Sequence, residues 1–355
     1  MSSRPGDERA CDDRARDEGS SDERPIGERV RDDPARGERS GEEAARDDRV
    51  RDEEADEAAA RDQRDLDEAF ERERARLVRV AYATTGSVAE AEDCVQEAWF
   101  RLRRLDDPGA IRDLRAWLTT TVGRLALDAL GSARVRRERY VGTWLPEPLV
   151  EAVPADDPAA RVTLDESVSM ALLVVLEQLS PAQRTAFLLH DVFGLPFDEV
   201  ADVVGRTPAA VRQLAARARR DVELGRPRFP PTIGQQREIA AAFADACQGG
   251  DLEGLLALLD PDVRLRGDGG GKVSAVRHIE RGAGHVARLL IGFTRRPLRQ
   301  LRIAQVNGAP GLVVSDADGN LSVVAFTVDT GRITDIDVVR NPDKLTAVHL
   351  LDESR

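Results

Sequence analysis

The 355-residue sequence predicts a multidomain chain: a disordered N-terminal tail, two all-α domains and a C-terminal α+β domain. Three observations carry this. Residues 1–65 hold almost nothing to bury. Residues 66–225 show apolar positions three and four apart, punctuated by capping signals. Residues 232–346 open with two helical patterns and close with β-rich runs divided by turn pairs.

The tail is built of Arg, Asp, Glu, Ala, Gly and Ser with loose repeats such as RVRDD and RVRDE, a composition that predicts disorder. It holds 23 acids and 14 arginines, so it carries −9 of the chain's −13. The remainder is near neutral, and the overall acidity does not oppose nucleic-acid binding where arginines cluster locally.

Residues 66–141 form the first helical domain. Ser87-Val88-Ala89-Glu90 reads as a capping box. Behind it Val88, Ala91, Val95, Ala98, Leu102 and Leu105 make one apolar stripe, widened by Trp99. The opposite face presents Glu92, Asp93, Gln96 and Glu97. Phosphates repel such a face, so it suits a basic protein partner. Asp107-Pro108-Gly109 is a turn. A second helical region then runs from about Leu114 to Tyr140 and includes Arg124. It ends in GSARVRRERY, where Arg134, Arg136, Arg137 and Arg139 face one acid, Glu138. That is a local phosphate-binding patch.

Residues 142–163 read as a linker. WLPEPL at 144–149 is too apolar for a plain spacer, and two prolines hold it extended. The stretch from Glu151 to Asp165, rich in Pro, Ala and Asp, reads as an exposed tether.

Residues 164–225 read as a helix-turn-helix. Ser180, Pro181 and Gln183 start a helix that Gly194 stops. A short helix with Phe197, Val200, Ala201 and Val204 ends at Gly205, and Thr207-Pro208 starts the next. Val211, Leu214 and Ala218 face the core of that helix. Its other face carries Arg212, Gln213, Arg217 and Arg220, with Arg219 beside it. Arg and Gln pair with base edges in the major groove, and Arg also neutralises phosphates.

After a Pro-rich break at 226–231, Ile239, Ala242, Phe243 and Ala246 predict an amphipathic helix, and Asp251–Leu259 a second. A strand about Val263–Leu265 leads to Asp268-Gly269-Gly270-Gly271-Lys272, followed by a helix around Gly284–Ile291. Strands are predicted at Leu298–Val306, Gly311–Ser315, Leu321–Val328 and Arg332–Val339, with turns at Asp318-Gly319 and Thr330-Gly331. Helices followed by a strand meander predict helices on one face of a curved sheet.

AEDCVQEAWFRL, RAWLTTTVGRLALDALGSARVRRERY and LSPAQRTAFLLHDVFGLPFDEVADVVGRTPAAVRQLAARARR together resemble regions 2 and 4 of an extracytoplasmic-function (ECF) sigma factor. WLPEPL, DGGGK at 268–272 and NPDKL at 341–345 resemble the motifs of the subgroup with a C-terminal SnoaL-like (nuclear-transport-factor-2-like) cone. Gly131 departs from the pattern, standing where relatives often carry Arg.

The resemblance implies that Glu92, Asp93, Gln96 and Glu97 grip core RNA polymerase, whose largest-subunit clamp and flap regions are the expected contacts. It implies that Arg124, Arg134, Arg136 and Arg137 serve the −10 element of promoter DNA. Thr207, Arg212, Gln213, Arg217, Arg219 and Arg220 serve the −35 element. It also implies regulation in cis, with Trp144, Leu145, Pro146, Asp268, Lys272, Asn341, Pro342, Asp343 and Lys344 as the regulatory contacts and no separate anti-sigma protein required.

Two other readings fit parts of the chain. One is a one-component regulator that senses a ligand and binds DNA without polymerase, which would need neither the acidic helix nor the second basic region. The other is a SnoaL-type enzyme, for which Asp268, His278 and His285 are the acid–base candidates, though they form no recognisable spacing. Fold alone does not imply an enzyme. Cys11, Cys94 and Cys247 show no paired or metal-like spacing, and GGGK is followed by Val273, so it is no nucleotide loop. No cofactor, metal or membrane partner is expected, and the location expected is cytoplasmic.

Overall fold

The computed structural model describes residues 34–137, 140–151, 168–225, 227, 229, 231–294 and 298–348, with backbone alone at 34–56, 58, 59, 62 and 134–136. Of the tail expected to be disordered, residues 1–33 lie outside the described residues. From Pro34 the chain is helical, as α1, Pro34–Thr85. The physical reason is propensity. A sequence rich in Ala, Glu and Arg favours helix even where it buries little, and pairs such as Arg61–Glu57 at 3.1 Å add support one turn apart. The chain divides into two units after Asp65, and the second unit, from Leu66, holds both helical bundles and the cone.

The first bundle packs the end of α1 against α2, Val88–Arg103, and α3, Leu114–Arg137. Helix α2 buries Ala91, Cys94, Val95, Ala98 and Leu102. Leu105, the expected end of this stripe, lies beyond the helix and is exposed. The expected capping box is half present. Ser87 Oγ accepts from Glu90 N at 3.5 Å, but Ser87 N donates to Thr85 Oγ1 at 3.3 Å rather than to Glu90.

The second bundle comprises α4, Met170–Leu176; α5, Pro181–Phe187; a π-helical turn, Leu188–Val192; α6, Phe197–Val204; and α7, Pro208–Gly225. Ser180 and Gln183 form a complete capping box. Gly205 takes φ +67°, a left-handed backbone that favours glycine and closes α6. Val211, Ala215, Ala218 and Val222 are the buried face of α7. Leu214, expected in that face, is only partly buried, because the smaller Ala215 occupies the close crossing.

The two bundles share a core. Leu77, Leu118 and Val122 of the first lie in one apolar cluster with Leu173, Leu176, Leu188 and Val222 of the second. Val80 of α1 sits in the cluster of the helix-turn-helix, beside Val200 and Val211. Gly123 lets α3 approach α6. A Cβ there would stand 3.2 Å from Val203 and 3.3 Å from Leu189.

The C-terminal domain is the expected α+β cone. Its helices are α8, Ile233–Gly249; α9, Leu252–Leu258; and α10, Ala283–Thr294. Its strands are β2, Leu259–Asp268; β3, Glu280–Arg281; β4, Leu298–Val306; β5, Ala309–Asp316; β6, Leu321–Asp329; and β7, Arg332–Val339. A further strand, β1, Val150–Glu151, comes from the linker. The sheet order is β1-β4-β5-β6-β7-β2-β3. The β2–β7 pairing is parallel, and the other pairings are antiparallel.

The helices cover the inner face, where Phe243, Leu255, Leu265, Leu312 and Ile336 pack together. The outer face, with Val306, Val313, Val323 and Val339, is covered by Leu145 of the linker, Met170 of α4, and Leu345 and Val348 after β7. The second predicted helix ends at Leu258, one residue before the expected Leu259, and β2 begins directly there, running through Asp260-Pro261 well before the expected strand start at Val263.

Gly123→Leu is expected to overpack the α3–α6 contact, a penalty of about 1–3 kcal/mol. The bundles should part, raising the radius of gyration in small-angle scattering while far-ultraviolet dichroism stays unchanged. An unchanged radius would show that the contact does not hold them together.

Candidate functional site

The acidic face of α2 is open. Glu92, Asp93 and Gln96 are exposed, and half-buried Glu97 accepts from Arg101 Nε at 2.9 Å, one turn on. Phe100 continues this face at 44 % exposure. Sequence reading missed it. Its signal was an aromatic residue outside the apolar stripe.

The basic face of α7 is open as well. Arg212, Gln213, Arg217 and Arg220 are exposed on one side. Thr207 caps the helix, its Oγ1 accepting from Ala210 N at 3.3 Å. Two neighbours are partly engaged. The Arg212 guanidinium lies 5.2 Å from the Phe197 ring, and Arg219 pairs with Asp191.

The basic residues of the first bundle are placed differently. Arg124 donates through Nε and Nη2 to the Asp202 carbonyl, at 3.1 and 2.9 Å, and so bonds to the second bundle. Arg137 donates to Glu177 at 2.5 Å and to the Thr85 carbonyl at 2.5 Å. Its guanidinium lies 3.4 Å from the centre of the Trp144 ring. The helical backbone carries Arg134 and Arg136, whose side chains lie outside the described residues, as does Arg139.

Beside Arg137, the buried Arg184 pairs with Glu177 and donates to the Ala83 carbonyl at 3.2 and 3.0 Å. Two guanidiniums thus meet the carbonyls at the C-terminus of α1, where a cation is favoured. Arg184 and Glu177 had no sequence signal, because a buried Arg–Glu pair looks like surface charge until the fold is known.

The linker lies along the cone. Asp268 is fully buried. Its carboxylate accepts from Tyr140 Oη at 2.5 Å, Leu145 N at 2.9 Å, Gly270 N at 3.1 Å and Lys344 Nζ at 2.7 Å. Its carbonyl accepts from Arg340 N and Asn341 N, at 2.7 and 2.9 Å. Asn341 Nδ2 donates to Tyr140 Oη at 2.8 Å. Burial pushes the Tyr140 hydroxyl up, reinforced by its bond to Asp268. Burial pulls the Lys344 ammonium down, opposed by the same carboxylate.

Lys344 also donates to the Leu145 carbonyl and stands 3.9 Å from the Trp144 ring centre. Trp144 therefore contacts two cations, an arrangement favoured by the ring's negative face. Leu145 and Pro146 are buried. Pro342 and Asp343 are exposed, and Asp343 receives Lys272 Nζ at 2.7 Å. An exposed pair of that kind contributes little, about 0–1 kcal/mol.

The glycines of 268–272 have a steric role. A Cβ at Gly270 would stand 2.5 Å from the Asn341 side chain, and one at Gly269 2.1 Å from the Val273 carbonyl oxygen.

Three further residues complete the docking. The Glu147 carboxylate accepts from Val88 N at 2.8 Å and Ser87 Oγ at 3.2 Å. It thus supplies, from the linker, an acid at the N-terminus of α2, and burial pushes its carboxyl up. Tyr82 Oη donates to the Glu147 carbonyl at 2.7 Å. Asn307 exchanges bonds with Leu149, Oδ1 accepting at 3.1 Å and N donating at 2.8 Å.

The acid–base candidates do not converge. His285 bonds to Glu280 at 2.8 Å in an exposed position, His278 is exposed, and Asp268 is committed to the linker. Among the described residues, no cluster of His, Cys, Asp and Glu could hold a metal ion.

Residues 69–136 match the family described as Sigma-70 region 2, and residues 169–222 that described as Sigma-70, region 4. The chain is 43 % identical over 294 residues to the ECF RNA polymerase sigma factor SigJ of Mycobacterium tuberculosis, covering 78 % of this chain and 92 % of that one. It is 38 % identical to the probable ECF sigma factor SigI of the same organism, covering 77 % and 92 %. The crystal structure of SigJ is similar with a TM-score of 0.65 at 40 % identity, covering 79 % of this chain and 98 % of that one.

Asp268→Ala is expected to leave Lys344 buried without its partner, at a cost of about 3–5 kcal/mol. The Trp144 indole should then become accessible to a soluble quencher, with helix content unchanged. Continued protection of Trp144 would show that Asp268 does not hold the linker.

Proposed function

The chain belongs to the extracytoplasmic-function RNA polymerase sigma factors, and from that premise we propose how its residues divide the work. It is an initiation factor rather than an enzyme, acting by binding core polymerase and promoter DNA. Residues 66–141 act as region 2, 142–163 as the linker, 164–225 as region 4 and 232–346 as the regulatory cone. Glu92, Asp93, Gln96 and Glu97 meet basic groups of the polymerase clamp, and Phe100 extends that contact. Arg212, Gln213, Arg217 and Arg220 read the −35 element with Thr207 fixing the start of the helix, and Arg219 joins them when it leaves Asp191. Arg124, Arg134, Arg136 and Arg137 serve the −10 element.

The observation that carries the regulatory reading is the engagement of Arg124 and Arg137. Both bond across to the second bundle, and the bundles share a core. Elements named −10 and −35 stand roughly 25 base pairs apart, on the order of 85 Å of duplex. Simultaneous reading requires the bundles to separate and those two arginines to be released. The cone restrains this opening through the linker, so the chain carries its own restraint and requires no separate anti-sigma protein. Its place of work is the cytoplasm, and none of its described helices is long and apolar enough to cross a membrane.

The test is binding to core RNA polymerase by the full chain, by a form ending at Arg340, and by an Asp93→Arg/Glu97→Arg form. The first two should form stoichiometric complexes and the charge-reversed form should bind at least tenfold more weakly. If neither of the first two binds core while both still bind duplex DNA, the chain is a free-standing regulator. Separately, Gln213→Ala and Arg217→Ala should each weaken −35 recognition by about 1–3 kcal/mol in transcription assays on promoter variants. Equal losses on all sequences would mark phosphate contacts instead.

A further inference from the structure

Helix α5 does not run straight into the turn before α6. It passes into the π-helical turn Leu188–Val192, where Phe193 N donates to the Leu188 carbonyl at 3.0 Å, five residues back. Such turns are rare and appear frequently at functional sites. Leu188 and Leu189 of this turn are fully buried. The next two residues, His190 and Asp191, contact α6 and α7.

His190 reaches Arg212 through one ring. Its Nδ1 donates to the Leu195 carbonyl at 2.8 Å, which fixes the imidazole. The imidazole stacks on Phe197, with ring centroids 3.7 Å apart and planes at 27°. The Arg212 guanidinium lies 5.2 Å from the centre of the same Phe197 ring. A long exposed side chain loses rotamer freedom when it binds. A ring held in place narrows that freedom before DNA arrives, and this favours the fixed geometry that base reading needs.

Asp191 acts on Arg219. Its Oδ1 accepts from Arg219 Nε at 2.9 Å and also from Nη2. That occupies an edge of the guanidinium that could otherwise grip a phosphate with two parallel bonds. Arg219 stands seven positions after Arg212, about two turns along α7. Phosphate contacts raise affinity on every sequence alike. An arginine held back by a carboxylate lowers that uniform part and leaves base reading the larger share.

We propose that the π-helical turn is a specificity device. His190 positions Arg212 through Phe197, and Asp191 holds Arg219 back from the phosphate backbone. The role of His190 rests on the reading of Arg212 as a −35 contact given above.

The full chain and its variants are offered a pool of short duplexes with a randomised central stretch, and the bound fraction is sequenced. The wild-type chain should enrich a motif, and Arg212→Ala should lose preference at some of its positions, about fivefold or more. His190→Ala should lose preference at those same positions, about threefold or more, as ordering one arginine implies. His190→Phe, which keeps the stack, should retain it. If the wild-type chain enriches no motif, or Arg212→Ala leaves the motif unchanged, the −35 reading of Arg212 fails and the role of His190 falls with it. If Arg212→Ala loses the preference while His190→Ala keeps it, flattens every position alike, or is not rescued by His190→Phe, the positioning role alone fails.

The second half is read on one duplex that the wild-type chain does not enrich. Asp191→Asn should bind it more tightly, with log affinity falling more steeply on log salt by about 0.9, the value of one added phosphate contact. In an Arg219→Ala background the same change should have no effect. An unchanged slope, or a gain that survives the loss of Arg219, would overturn the role of Asp191.

Discussion

The junction between the helical bundles and the cone depends on one buried carboxylate. Asp268 is out of reach of water, and a carboxylate so placed is tolerable only when hydrogen-bonded and paired. Its four donors come from four places: Tyr140 after α3, Leu145 in the linker, Gly270 in its own loop and Lys344 beyond β7. Satisfying them fixes the path of the chain from residue 140 to 145 across the end of β2. The remaining contacts of the linker lie along that path. Leu145 enters the apolar outer face of the sheet, and Val150 and Glu151 extend it as an edge strand against Val306 and Gln305. An edge strand has unpaired backbone groups that accept such an addition readily.

Arg124 and Arg137 of the first bundle are engaged by other parts of the chain. In this arrangement Arg137 meets Glu177 and the Trp144 ring, and Arg124 meets the Asp202 carbonyl. All of these groups lie on the linker or the second bundle. Groups suited to phosphate oxygens are equally suited to carboxylates and carbonyls. On the proposed reading of Arg124 and Arg137 as promoter contacts, these carbonyls and carboxylates would compete with DNA for them. Apart from the Arg219–Asp191 and Arg101–Glu97 pairs, the basic face of α7 and the acidic face of α2 are open. The bonds of Arg124 and Arg137 join the two bundles and leave both outer faces uncovered.

Much of this was legible in the sequence because the signals are local. The helix-turn-helix declares itself through Ser180, Gln183, Gly205 and Thr207, each a cap or stop within a few residues of what it controls. The long strands β4 to β7 were legible from β-branched runs and turn pairs. The two-residue strands β1 and β3 are too short for any period, and they exist because tertiary contacts align them. Asn307-Gly308 is an Asn-Gly pair, a strong hairpin signal, and φ +49° and +77° there are the left-handed values such a turn uses. Its second role, bonding Leu149, could not be read from the turn. Glu147 and Arg184 were hidden for the same reason. A linker acid capping α2 and a buried arginine on the end of α1 are set by residues about 60 and 100 positions away.

The strength of the junction matters as much as its geometry. A buried ion pair such as Asp268–Lys344 adds little net stability, because desolvating both charges offsets most of their attraction. Its effect is on specificity: one linker path satisfies both charges and others leave one unpaired. The apolar contacts of Leu145 and Met170 supply the attraction, and the polar cluster decides the register. Such a junction holds a defined closed form without being hard to open. A partner that favours the open form by 1–3 kcal/mol shifts the balance 5- to 150-fold. If the exposed acidic face is the polymerase contact proposed above, binding energy gained there would be available to separate the bundles.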